Sequence, residues 1–165
     1  MDSTMVFKPG FTQGFTLIEV MMTILVISIL ATIGVTQFTD FGNDARIATT
    51  NEKLMALKTA INGDPHLYAA GEYSKAGFEA HCRAPPVILA DLITMPGAGV
   101  CSVVYDPFLK TGWRGPYVSS TDPSYDKDAW GTTLEYFVVG PPARTIRSCG
   151  RDKTCGNTDD LSVTF

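Results

Sequence analysis

The sequence has little of what catalysis uses. It holds two histidines, His66 and His81, in 165 residues, and no G-x-S-x-G elbow frames a serine nucleophile. Neither a P-loop nor a G-x-G-x-x-G phosphate cradle is present. The four cysteines, Cys82, Cys101, Cys149 and Cys155, include no C-x-x-C pair, and only His81 adjoins one of them. Zinc is thereby left without its usual ligand spacing. A Cys–His nucleophile would have to draw on cysteines better explained as disulfides. No basic cluster exists either: 13 Lys and Arg face 17 Asp and Glu, for a net charge of −4. The chain has no electrostatic footprint for a phosphate backbone, so nucleic acid is not an expected partner. An enzyme is not expected.

One stretch lacks charge altogether. From Val20 to Thr39 there is no Asp, Glu, Lys or Arg, and with Phe15–Ile18 the run is long enough for roughly 30 Å of hydrocarbon. Glu19 is the single ionisable residue of the segment GFTLIEVMMTILVISILATIGV, 14–35. A carboxylate in a membrane span costs roughly 2.5–3.5 kcal/mol at the centre and less near the ends. A positive charge on a neighbouring copy of the same chain is the economical compensation, which makes the chain a polymer subunit. A polar leader, MDSTMVFKPGFTQG, precedes the run, an order unlike that of a secretory signal with its small-residue cleavage site after the apolar stretch. Lys8 on the leader side agrees with the positive-inside tendency, placing the rest of the chain outside the cytoplasm. All four cysteines lie on that side, and an even number in an oxidising compartment reads as disulfides. Three pairings are possible; sequence-local closure favours Cys82–Cys101 and Cys149–Cys155, with four reduced, buried thiols as the alternative.

Beyond the run, Ile47, Leu54 and Ile61 recur every seven residues with Leu57 between them, one apolar stripe of a continuing amphipathic helix. Asn62-Gly63-Asp64-Pro65 supplies its stop. Residues 66–117 are rich in turn signals, with a short helix expected over Pro86–Ile93. Thr133–Val139, Arg144–Ser148 and Leu161–Phe165 read as strands by their β-branched and aromatic content. The expected fold class is α+β: a long N-terminal helix, transmembrane in its first half and amphipathic in its second, on a small C-terminal antiparallel β-sheet. Asp122, Asp126 and Asp128 lack the EF-hand glycine and glutamate and read as a solvated turn. Trp113, Tyr117, Trp130, Tyr136 and Phe137 read as core cover for the sheet rather than a ligand platform.

Gly14-Phe15-Thr16-Leu17-Ile18-Glu19-Val20 resembles the processing site of the type IV pilin superfamily, which includes type IV pilins and type II secretion pseudopilins. The resemblance implies cleavage by a prepilin peptidase between Gly14 and Phe15, N-methylation of Phe15, and an assembly role for Glu19 as fifth mature residue. It divides the chain into a leader (1–14), a transmembrane and polymerisation segment (15–38) and a pilin-like head (39–165). Where many members carry a proline after the span, Thr36 stands here. Asp91-Leu92-Ile93-Thr94-Met95-Pro96, Trp113–Tyr117, Asp128-Ala129-Trp130-Gly131 and the Ser148–Asp152 start of the last loop resemble the major pseudopilin branch, although that branch has a proline at the position of Ala129. The same likeness implies calcium in the 148–160 loop, held by Ser148, Asp152, Asp159 and Asp160. Arg151 and Lys153 oppose a cation there, and a Cys149–Cys155 bridge would make one redundant. The implied partners are further copies of the chain, the prepilin peptidase, an inner-membrane assembly platform, and other minor pilins or pseudopilins. The implied location is the inner membrane, with a single pass and the head in the periplasm, and then a periplasmic or cell-surface filament. The alternatives are a surface pilin for adhesion, motility or DNA uptake, and a monomeric membrane-tethered ligand-binding module.

Overall fold

The computed structural model describes residues 14–64, 66, 76–99, 101–119, 121–139 and 144–165, without the side chains of 33–40. The leader up to residue 13, the side chain of Thr36 and Pro65 lie outside the described residues. The chain divides into two compact units at Phe41/Gly42. A helix, α1, runs Leu17–Asn62 and contributes to both.

In the unit from Gly42, the apolar stripe of α1 becomes the floor of the core. Leu54, Leu57 and Ile61 are almost wholly buried, and Phe78, Leu92, Leu134, Ile146 and Val163 pack with them. Each such aliphatic side chain contributes roughly 1.5–3 kcal/mol by leaving water. The helix stops at Asn62 because Gly63 takes a positive φ of 84° and donates its N–H to Thr59 O at 2.7 Å, a glycine-capped end.

Three strands, β1 (Glu135–Phe137), β2 (Thr145–Ser148) and β3 (Leu161–Thr164), form an antiparallel sheet in the order β1-β2-β3. The fold is therefore α+β, with a long N-terminal helix and a small C-terminal sheet. Ile146 at the centre pairs with Tyr136 on one side and Val163 on the other. Val163 is buried between exposed Ser162 and Thr164, the period-2 alternation of a sheet with one covered face. Tyr136 stacks on Phe165 with ring centroids 5.3 Å apart and donates its hydroxyl to Pro86 O at 2.8 Å. Burial pushes its phenol above the usual tyrosine range.

The structure corrects three expectations. The turn-rich stretch contains a helix, α2 (Gly77–Cys82); at six residues it is too short to declare a period. Its first residue is tied to the end of α1, since a Cβ on Gly77 would stand 2.2 Å from Gly63 N. The helix expected over Pro86–Ile93 is a single 3₁₀ turn, Leu89–Leu92. Asp91 Oδ2 accepts the N–H groups of Val87 and Ile88 at 2.9 and 3.1 Å, which holds the entry extended. Asp128 is buried rather than solvated: Oδ1 accepts from Trp130 N and Thr132 N, and Oδ2 accepts from Ser148 Oγ at 2.7 Å.

Ile146→Ala should cost about 2–5 kcal/mol in chemical denaturation, whereas Ser162→Ala at the next pair should stay within about 0.5 kcal/mol. Tyr136 holds its proton in the fold where an unfolded tyrosine releases it. Stability present below the ordinary value of 10.0 is therefore lost as pH rises above it. Tyr136→Phe should flatten that alkaline decline in a pH series of melting curves.

Candidate processing and assembly site

Gly14, Phe15 and Thr16 precede the first residue of α1. Thr16 caps the helix: its carbonyl accepts from Glu19 N and Val20 N at 3.1 and 3.3 Å, and its Oγ1 accepts from Glu19 N at 3.3 Å. A threonine three residues before a glutamate is the sequence form of a capping box. Thr16 was missed in reading the sequence, where that Thr-x-x-Glu spacing was the available signal. Glu19 thus sits in the first helical turn, where the unsatisfied N–H groups and the helix dipole favour negative charge. Among the described residues, no atom outside the adjacent ones lies within 4 Å of a Cβ built on Gly14.

The residues that follow are apolar and uncovered. Phe15, Leu17, Ile18, Val20, Met21, Met22, Ile24, Leu25, Val26, Ile27, Ile29 and Leu30 are between 50% and 83% exposed. Polar side chains within this stretch turn back onto it: Thr23, Ser28 and Thr32 donate to Val20 O, Ile24 O and Ile29 O at 2.6–2.8 Å. Their hydroxyls are satisfied without water. Among the described residues no helix is long and apolar enough to cross a membrane. The part whose side chains are described, 17–32, stops short of the roughly 20 residues that hydrocarbon requires.

The last loop gathers itself differently from a cation cage. Disulfides join Cys82 to Cys101 and Cys149 to Cys155, the pairing that local closure favours. Ser148 Oγ is engaged with Asp128, and it accepts from Gly150 N. Asp152 accepts from Thr154 N at 2.8 Å and Asn157 Nδ2 at 2.7 Å. Asp159 Oδ2 accepts from Arg151 N and Asp152 N. Asp160 Oδ2 accepts from Gly156 N at 2.7 Å and faces Arg147 Nη1 at 3.7 Å. Of these four residues only Asp160 contributes a buried oxygen without a partner, Oδ1. Calcium takes six to eight oxygens; these side chains would have to be joined by backbone carbonyls to supply them, and their carboxylates are already engaged by N–H groups of the loop. Glu135 lies near Cys149 and Cys155, but the two sulfurs are bonded to each other and offer no thiolate to a metal. Arg147 closes the arrangement by donating from Nε to Glu135 Oε2 at 2.9 Å.

Residues 10–35 match the family model of the prokaryotic N-terminal methylation motif. That motif is the hallmark of prepilin-like proteins, the type IV pilins and pseudopilins, and this chain carries it. The match indicates a pilin-like substrate of prepilin peptidase, and the motif is not the signature of an enzyme family. In prepilin-like proteins the motif goes with membrane anchoring and a surface or periplasmic filament. No curated protein and no solved structure matches the chain.

If hydrogen bonds and the disulfide hold the loop, added calcium or EGTA should leave the melting temperature unchanged. Replacing Cys149 and Cys155 together by Ala should cost about 2 kcal/mol, the scale expected for so short a closed loop. A calcium-dependent rise in melting temperature would contradict this account.

Proposed function

We propose that the chain is the structural subunit of a helical filament assembled at the inner membrane, either a type II secretion pseudopilus or a related type IV pilus. The observation that carries this reading is the exposed apolar face of 15–32, with one carboxylate at its capped start. Apolar side chains left in water at roughly 25 cal/mol per Å² require another home. Hydrocarbon provides one before assembly, and a bundle of identical helices provides one afterwards. Cleavage between Gly14 and Phe15 frees a charged amine at Phe15, which the peptidase then N-methylates from a separate methyl donor. Glu19 of an incoming subunit pairs with that amine, which offsets the cost of burying each charge alone and fixes the axial step. The net strength of such a pair is reduced by desolvation, so its main contribution is register and the apolar face does the holding.

The pseudopilus form of the reading draws on the Trp113–Tyr117, Asp128–Gly131 and Ser148–Asp152 segments. In these, Trp113 Nε1 donates to Asp91 O at 3.1 Å, and Ser148 is bonded to Asp128. The chain performs no chemistry of its own in this role, and its partners are its own copies, the peptidase and the inner-membrane platform.

Mass spectrometry of the mature protein should find a methylated Phe15 at the amino terminus; a chain starting elsewhere would end the proposal. Glu19→Ala should insert into membranes normally yet lower the yield of sheared fibres by roughly tenfold, equivalent to about 1.4 kcal/mol of registry energy. Undiminished fibre yield would remove Glu19 from assembly.

A further inference from the structure

The bond that processing would break lies just outside α1. Hydrolysis adds water across the Gly14 C–Phe15 N bond, leaving a carboxylate on Gly14 and a protonated amine on Phe15. The Gly14 carbonyl must be reached for this, and a carbonyl held in a helical ladder is shielded until its turn opens. Among the described residues, the first carbonyl that α1 engages is that of Thr16, which accepts from Glu19 N and Val20 N. The Thr16 hydroxyl is a second acceptor for the same Glu19 N–H. Gly14 and Phe15 precede the helix and are exposed, Phe15 by 83%.

The sequence offers the helix an earlier start, at Gly14 itself. Glycine ranks with threonine as an N-cap, far above alanine or a large apolar residue. A helix capped at Gly14 would draw Phe15 into its first turn and turn the Gly14 carbonyl onto the N–H of Ile18, four residues on. The scissile carbonyl would then belong to the ladder. What separates the two starts is the Thr16 side chain. Its Oγ1 serves one of the N–H groups that a first turn leaves without a carbonyl of its own, and it can do so only when the helix begins at Leu17. Beside hydrocarbon, where an unpaired N–H costs more than in water, that service gains weight.

We propose that Thr16 is a positioning residue for prepilin cleavage: its cap fixes the start of α1 at Leu17 and so presents the Gly14–Phe15 peptide bond to the peptidase outside the helix. This rests on the processing reading and adds to it the reason that the bond is accessible. Thr16 acts before cleavage and Glu19 after it, so the two roles are separable by experiment.

The test is cleavage of the full-length precursor in lipid vesicles by purified prepilin peptidase, with the product's first residue determined. Thr16→Ala should slow cleavage by about fivefold, the scale of one lost N-cap, with no change in the melting temperature of the unit from Gly42. Thr16→Ser and Thr16→Asn should both restore the rate, since both residues cap helices and only serine keeps a hydroxyl. Rescue by serine alone would mean that the peptidase reads the hydroxyl itself, and would overturn the capping role. Amide exchange at Ile18 should slow in Thr16→Ala as the Gly14 carbonyl takes up its N–H; unchanged exchange counts against the proposal too. Thr16→Ala cleaved at the wild-type rate or faster, with a product beginning at Phe15, overturns the positioning role and leaves the processing reading intact. A wild-type product that begins elsewhere overturns both.

Discussion

The constraint that organises this protein is the uncovered apolar surface at the start of α1, interrupted by a single carboxylate. Among the described residues nothing relieves it: the apolar side chains from Phe15 to Leu30 remain exposed. A lone glutamate there is tolerable for a local reason: Thr16 sets the helix start beside it, and the first-turn N–H groups favour an anion. The rest of the molecule then has to be a stable body on a helix whose other half is committed elsewhere.

That body is built economically. The second half of α1 gives one buried stripe, and three short strands cover it with Ile146 at their centre. A sheet this small needs fastening from outside. Glu79 of α2 receives a two-pronged contact from Arg144, at 2.7 and 3.2 Å, while Arg144 Nε donates to Phe165 O at 2.8 Å. The chain end is thereby tied to β2 and to α2 at once. Two disulfides reinforce the long connections, where a core of this size leaves the least to spare.

Legibility in the sequence followed the length of each signal. The helix stripe Ile47, Leu54, Leu57, Ile61 repeats over several turns, and its end is announced by Asn62-Gly63, so both were readable, although Ile47 is only half-buried. The strands were readable in place but overlong, because β-branched content continues past the paired residues: Val138 and Val139 follow β1 without joining it. The helix α2 was hidden by its brevity. Asp91 and Asp128 look like surface acids in a string of letters, yet each turns inward to collect backbone N–H groups that are distant in type from any motif. The last loop illustrates the same difficulty. Its acids suggested a cation by resemblance, and only the geometry reveals that the loop's own amides are their partners. Of the site residues, Glu19 stood out by isolation, whereas Thr16 did not.

The cap on α1 has a temporal consequence. Thr16 stands downstream of the proposed scissile bond, so trimming the leader leaves the cap of α1 in place. Precursor and product would then open the helix with the same threonine, the product adding a terminal charge one residue before it. Under the proposed processing, a single hydrolytic event would switch on the charge that assembly needs without dismantling the cap beside it.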